Sequence, residues 1–179
     1  MTDSRSQVQY QGKYLHLVQR DEWEYVTRPN INGIVCIIPV LPDGRIIFTE
    51  QYRPPVKAHV VEFPAGLSGD VDSNESLQSA AERELLEETG YTVSEWQYLF
   101  SGPTSPGLTD EIITLFLATK LQKVHEGGGV ENESIITHKI PQTSVSDWLK
   151  KCAEEGLLID TKIWAGLYAL KQSSDLIRL

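Results

Sequence analysis

The chain has 179 residues, which at about 150 residues per domain means one domain with room for a small extra subdomain. Hydrophobic residues make up 40% and there are 13 glycines, an ordinary globular composition that can bury a full core without staples. Sixteen Lys and Arg against 25 Asp and Glu leave a net charge of −9; this excludes a non-specific nucleic-acid binder and a protein of anionic membrane surfaces, because both require clustered cations.

An acidic protein can still hold a polyanion when divalent cations stand between them. The N-terminus, Met1 to Gln7, is polar and lacks an apolar stretch, so no secretory signal is expected. Cys36 and Cys152 are the two cysteines. They form no disulfide framework and no cysteine-rich metal knuckle, and free thiols suit a reducing, cytoplasmic setting.

In chain order, residues 8–29 read as strand-like, with Tyr14, Leu15, Leu17 and Val18 before a polar break at Gln19-Arg20-Asp21 and Trp23, Tyr25 and Val26 after it. Ile34 to Leu41 is β-rich and is the longest near-apolar run, far short of a membrane span. Pro42-Asp43-Gly44 predicts a turn, and with Arg45 to Thr49 the pattern predicts a hairpin. Val60 to Phe63 reads as a short strand ending at Pro64-Ala65-Gly66, and further strands are expected over 95–100, 112–119 and 135–139. The first helix is predicted from Glu75 to Thr89, with Asp72-Ser73-Asn74 as cap candidates and Gly90 as the left-handed residue that ends it. The second is expected from Val145 to Glu155 after Ser144, and the third from Thr161 to Gln172 with Asp160 as its cap. Strands and helices do not alternate regularly, so the pattern predicts an α/β sandwich and not a doubly wound sheet.

Arg83-Glu84-Leu85-Leu86-Glu87-Glu88 concentrates charge on the first helix. At about 100° per residue, with Glu84 at zero, Glu87 falls near −60° and Glu88 near +40°, so the carboxylates share an arc of about 100°. Leu77, Ala81 and Leu85 take the adjoining arc and face the sheet. Like charges at this spacing destabilise an isolated helix. A hard divalent cation, completed by water and substrate phosphates, is the natural counterweight.

Reading outward, Gly69, Glu75, Arg83-Glu84-Leu85, Glu87-Glu88 and Gly90-Tyr91 stand at the spacing of the Nudix box. The sequence therefore resembles the Nudix hydrolases, which cleave nucleoside diphosphates linked to another moiety with Mg²⁺ or Mn²⁺. Gln51-Tyr52-Arg53, Glu62-Phe63-Pro64-Ala65-Gly66, Ser105 to Glu111 and the late acidic loop from Glu126 to Glu133 extend the resemblance to the ADP-ribose pyrophosphatase branch. One departure is plain. Gly66 stands nine residues before Glu75 where that branch has six, so the loop is three residues longer.

The resemblance implies an α/β/α sandwich with a mixed sheet and an N-terminal antiparallel strand subdomain. Residues 1–30 would contribute to a homodimer with crossing N-terminal strands and to base binding, and residues 31–179 would form the catalytic domain. It implies hydrolysis of ADP-ribose and other nucleoside diphosphate sugars to a nucleoside monophosphate and a sugar phosphate. GDP-mannose hydrolysis is the alternative within the class. A non-catalytic nucleotide sensor is the alternative outside it, although such proteins usually lose box glutamates that this chain keeps. Two or three ions would be held by Glu84, Glu88, Glu133 and a backbone carbonyl, that of Ala65 or of a residue near Ser68. Glu87 is an additional or outer ligand. Arg83 would orient the carboxylates by charge-assisted hydrogen bonds, with Glu75 in the same network. The general base is expected outside the helix, and Gly127-Gly128-Gly129 offers a flexible approach to Glu131-Asn132-Glu133. By the resemblance Glu131 takes the proton of the attacking water; Glu126 competes for that role, and Glu111 and Glu62 are weaker metal-linked or substrate-contacting candidates. Arg53 suits a phosphate, since guanidinium matches phosphate oxygens bidentately. Trp23, Arg28 and Tyr14 match positions that grip the nucleobase across two subunits, and Gly107 and Leu108 match the terminal-sugar side. The histidines show no metal spacing.

Overall fold

The computed structural model describes residues 6–130 and 133–176. Strands β1 (Ser6–Gln11), β2 (His16–Arg20) and β3 (Trp23–Thr27) form an antiparallel sheet, so the strand-like N-terminal stretch divides into three. Then follow β4 (Gly33–Pro39), β5 (Arg45–Arg53), β6 (Ala58–Glu62), β7 (Ala65–Ser68) and helix α1 (Leu77–Thr89). After α1 come β8 (Tyr91–Thr92), β9 (Glu95–Pro103), β10 (Ile112–Thr119), β11 (Gln122–Lys123) and β12 (Ile136–Pro141). A 3₁₀ turn over Gln142–Ser144 leads to α2 (Val145–Glu154), β13 (Leu158–Ile159) and α3 (Thr161–Leu176).

Two four-stranded mixed sheets, ordered β7-β4-β10-β9 and β12-β5-β6-β13, build the body. They share both of its cores. Val35 and Ile37 of β4 and Ile47 of β5 pack with Ala80, Ala81 and Leu85 of α1. The alternating residues Cys36, Ile38, Ile46 and Phe48 pack with Val145 and Leu149 of α2 and Ile163 of α3. Period-two alternation thus sends each strand's side chains to opposite helical layers, which is the expected sandwich.

The predicted hairpin is corrected. β4 and β5 meet at the bridge between Val40 and Ile46, and Leu41 N–H donates to the Arg45 carbonyl at 2.8 Å. Beyond that corner β4 pairs with β7 and β10, and β5 with β6 and β12. β10 for β4 and β12 for β5 come from far along the chain and place the two strands in different sheets, and the local turn decides only where they part.

The start of α1 is also corrected. Ser76 is the N-cap, its hydroxyl accepting from Ser79 N–H at 3.1 Å. Asp72 instead closes a tight turn, accepting from Asn74 N–H through its side chain and from Glu75 N–H through its carbonyl. Gly90 ends the helix at φ 74°, donating to the Leu86 carbonyl as predicted.

Candidate active site

Arg83 is the hub on α1. Its Nε and Nη2 donate to the Glu75 carboxylate at 3.0 and 3.1 Å, its Nη1 to Glu84 at 2.8 Å and to Glu87 at 3.3 Å. Nη2 also donates to the Leu67 carbonyl at 2.9 Å, tying the helix to β7. This fork holds the Glu75 carboxyl below its usual range. The Glu84 carboxyl is pushed up to about 7 by burial, which outweighs the pull of Arg83. Glu88 is 5% exposed. Burial, and then the charges of Glu84, Glu133 and Glu62, raise its carboxyl well above the ordinary value, against a hydrogen bond from the Ala65 backbone.

These groups border a cavity of about 530 Å³ that brings together Arg28, Arg53, Ala65, Glu84, Glu88 and Glu133. Close approach of backbone to carboxylate explains Gly66: a Cβ there would stand 1.9 Å from the Glu84 carboxyl carbon. Arg53 grips Glu62 bidentately at 3.0 and 2.5 Å, and Arg28 Nε meets Glu111 at 2.6 Å. Both cavity arginines are therefore held in place by carboxylates that the sequence offered only as weaker candidates.

Other expected residues stand elsewhere. The Glu87 carboxylate lies with Arg83, outside the residues that line the cavity. Ser68 is occupied: its carbonyl accepts from Asn32 N–H at 2.6 Å and its hydroxyl donates to the Glu75 carbonyl. Tyr14 is 66% exposed, with the Lys13 ammonium 4.7 Å from its ring centre. Trp23, 65% exposed, shares a separate hollow of about 300 Å³ with Gly107. Leu108 is 60% exposed, and its carbonyl accepts from Val26 N–H, fastening its loop to β3. Glu131 lies outside the described residues. Glu126 points outward, its side chain 98% exposed beside Lys123.

The glycine run is not a loose tether. Gly127, Gly128 and Gly129 all have positive φ, and a Cβ at Gly127 would stand 2.5 Å from the Thr89 carbonyl carbon. Gly128 N–H donates to the Glu88 carbonyl at 2.9 Å and Gly129 N–H to the Glu87 carbonyl at 3.1 Å. They satisfy the end of α1, where carbonyls lack helical partners. Lys162, Thr104 and Asp70, which no motif marked, also line the cavity, as does Gln51 of the Gln51-Tyr52-Arg53 motif. Lys162 follows the cap of α3, and nothing in its local sequence links it to α1.

Among the described residues no three His, Cys, Asp or Glu side chains already converge on an ion position. The donor set nonetheless fits a hard cation. Glu88 Oε2 is buried without a hydrogen-bond partner among the described residues, beside a second buried carboxylate. Mg²⁺ is typically held by one or two protein carboxylates, with substrate phosphates and water completing the shell.

A solved structure described as an ADP compounds hydrolase aligns with TM-score 0.71 over 93% of this chain and 90% of its own, at 19% identity. The two share a fold, and the class is that sandwich with its carboxylate helix. The Nudix domain model matches residues 31–143, and the chain belongs to the Nudix family. It is 36% identical over 118 residues to the methanol dehydrogenase activator of Bacillus methanolicus, covering 66% of this chain and 60% of that one. It is 34% identical over 118 residues to the ADP-ribose pyrophosphatase of Bacillus subtilis, covering 66% and 61%. The aligned stretch spans about three fifths of the length of these two relatives.

Proposed function

We propose that this chain is a divalent-metal-dependent pyrophosphohydrolase of ADP-ribose and related nucleoside diphosphate sugars, releasing a nucleoside monophosphate and a sugar phosphate. The observation that carries this reading is the cavity itself. Half-buried Glu84 and buried Glu88, the latter with an oxygen unpartnered among the described residues, share it with Arg28 and Arg53. A diphosphate requires both sides: cations directly, and carboxylates through metal. The similarity to an ADP-ribose pyrophosphatase supports the substrate class.

Glu84, Glu88, Glu133 and the Ala65 carbonyl would hold two or three Mg²⁺, with Mn²⁺ as a substitute. When bound, such ions neutralise the diphosphate and lower the pKa of an attacking water. Arg83 keeps Glu84 and Glu75 in place by charge-assisted bonds, and Glu87 joins that network in the outer of its two expected roles. Arg53 binds a phosphate, held at the right angle by Glu62. Glu131 accepts the proton of the water, and Glu126, turned to solvent, is set aside. Tyr14 and Trp23 are too exposed to grip a base in one chain, so we assign them to a base clamp completed in a homodimer through the N-terminal sheet. A cytoplasmic setting accords with two free cysteines.

The test is turnover of a panel of nucleoside diphosphate sugars with and without Mg²⁺ in ¹⁸O-labelled water. ADP-ribose should lead, Mg²⁺ should be obligatory, and the label should appear in one product phosphate, which fixes the phosphorus attacked. No Mg²⁺-dependent turnover of any member would sink the reading in favour of a sensor. A clear preference for GDP-mannose would replace the substrate.

A further inference from the structure

The cavity shares lining residues with two further hollows, Arg28, Ile34 and Glu111 with one and Thr104, Ile113 and Lys162 with the other. Alternate residues of β10 divide the two. Ile112 and Thr114, with Leu77 of α1, line a hollow of about 330 Å³. Ile113 and Leu115, with Thr161 and Ala165 of α3, line one of about 190 Å³. Each hollow joins the cavity past a cation: Arg28 borders the larger one and Lys162 the smaller. A substrate with two different groups on one diphosphate has matching parts, and the resemblance matches Arg28 to the nucleobase side.

Lys162 is built in. Asp160, 13% exposed in its side chain, accepts the Lys162 backbone N–H at 2.7 Å and also pairs with its ammonium. Asp160 N–H donates to the Val61 carbonyl at 3.0 Å, which sets the pair beside Glu62 and the cavity wall. The pair carries a cation and an anion together. It presents a strong donor and a strong acceptor side by side, which is what neighbouring hydroxyl groups use. The hydroxyl-bearing Thr104 and Thr161 lie nearby, while Phe100 and Pro103 offer apolar wall to the C–H face of a ring.

We propose that Lys162, positioned by Asp160, determines specificity for the group on the far side of the diphosphate, and that the hollow against α3 takes a compact hydroxylated ring of pentose size. This rests on the reading of the site as a nucleoside diphosphate sugar hydrolase.

The test compares ADP-ribose with ADP esterified by methyl on its terminal phosphate, which keeps the nucleoside and diphosphate and removes the ring. Ala165 is exposed on α3 and lines the hollow but not the cavity, so Ala165→Leu fills the hollow without touching the core. Lys162→Met and Ala165→Leu should each lower the ratio of kcat/KM for ADP-ribose over the methyl ester by about tenfold. The loss should fall mainly on KM for ADP-ribose, and Lys162→Arg should recover most of it. A ratio unchanged to within about twofold, or equal losses on both substrates, overturns the proposal; equal losses from Lys162→Met would place that residue on the diphosphate. If the wild type hydrolyses neither substrate, the functional reading fails instead. The hollow is then judged by calorimetric binding of ribose 5-phosphate against inorganic phosphate to the Mg²⁺-loaded chain. Tighter binding of the sugar phosphate, abolished by Ala165→Leu, upholds the proposal, and equal binding overturns it.

Discussion

Helix α1 and the N-terminal sheet both carry residues singled out for function, and they are built in opposite ways. On α1 the charged groups are partly or fully buried and mutually constrained: Arg83 is bonded to three carboxylates and a carbonyl, and Glu88 lies 5% exposed beside the cavity. On the N-terminal sheet Val8, Tyr10, Tyr14 and Trp23 are all more than half exposed. The first region is held together by bonds within one chain. The second is an exposed surface, which the proposed base clamp would complete with a partner chain. Groups that must hold charge in fixed geometry are made rigid by burial and shared hydrogen bonds, and the exposed aromatics of the N-terminal region carry no such constraint.

The sharpest way to break this contrast is to neutralise the buried carboxylate. Glu88→Gln keeps shape and removes a charge that burial disfavours, so thermal stability without metal should not fall. Metal-dependent turnover should drop by more than about 10²-fold, beyond the range usual for outer-shell partners. Near wild-type turnover at saturating Mg²⁺ would remove α1 from the chemistry. Arg83→Gln comes next. It should cost about 10–100-fold in activity together with roughly 2 kcal/mol of stability in denaturant titration, because several acidic neighbours lose their donor at once. A loss of stability alone would make Arg83 a structural residue.

For the N-terminal sheet the pattern should invert. Trp23→Ala should leave unfolding stability within about 0.5 kcal/mol while raising KM for ADP-ribose several-fold, since stacking is largely uniform binding. If the partner chain completes the clamp, wild-type KM should also rise on dilution below the dimer's dissociation constant. An unchanged KM would leave the ring without a substrate.

The smallest effect is the dependence of metal stabilisation on pH. Glu84 titrates near 7 in the fold against an ordinary 4.5. Between those values the folded chain holds a proton that the unfolded chain has released, so in the absence of metal this group makes stability decline as pH rises through that window. Above 7 the full penalty of a buried carboxylate is present. Metal binding requires the deprotonated form, so added Mg²⁺ should raise Tm by a few degrees more at pH 8 than at pH 6. Equal shifts would detach Glu84 from the metal.

How much of this was legible beforehand depended on the range of the interaction. The carboxylate arc, the Gly90 terminator and the Nudix spacing are local patterns on one helix, and the sequence by itself determined them, because helical geometry converts spacing into direction. The turn after Leu41 was equally local, yet it misled: it marks a corner, and partners more than twenty residues away decided that β4 and β5 enter different sheets. The glycine run shows the same limit. Three glycines read as freedom, but contact with the end of α1 makes them a fitted cap. Only the tertiary structure decided that Glu62 and Glu111 anchor the cavity arginines, and that Lys162, 74 residues after Glu88 in the sequence, borders the same cavity. Side-chain neighbours across a sheet end are set by strand order and register, and a single residue carries no local trace of either.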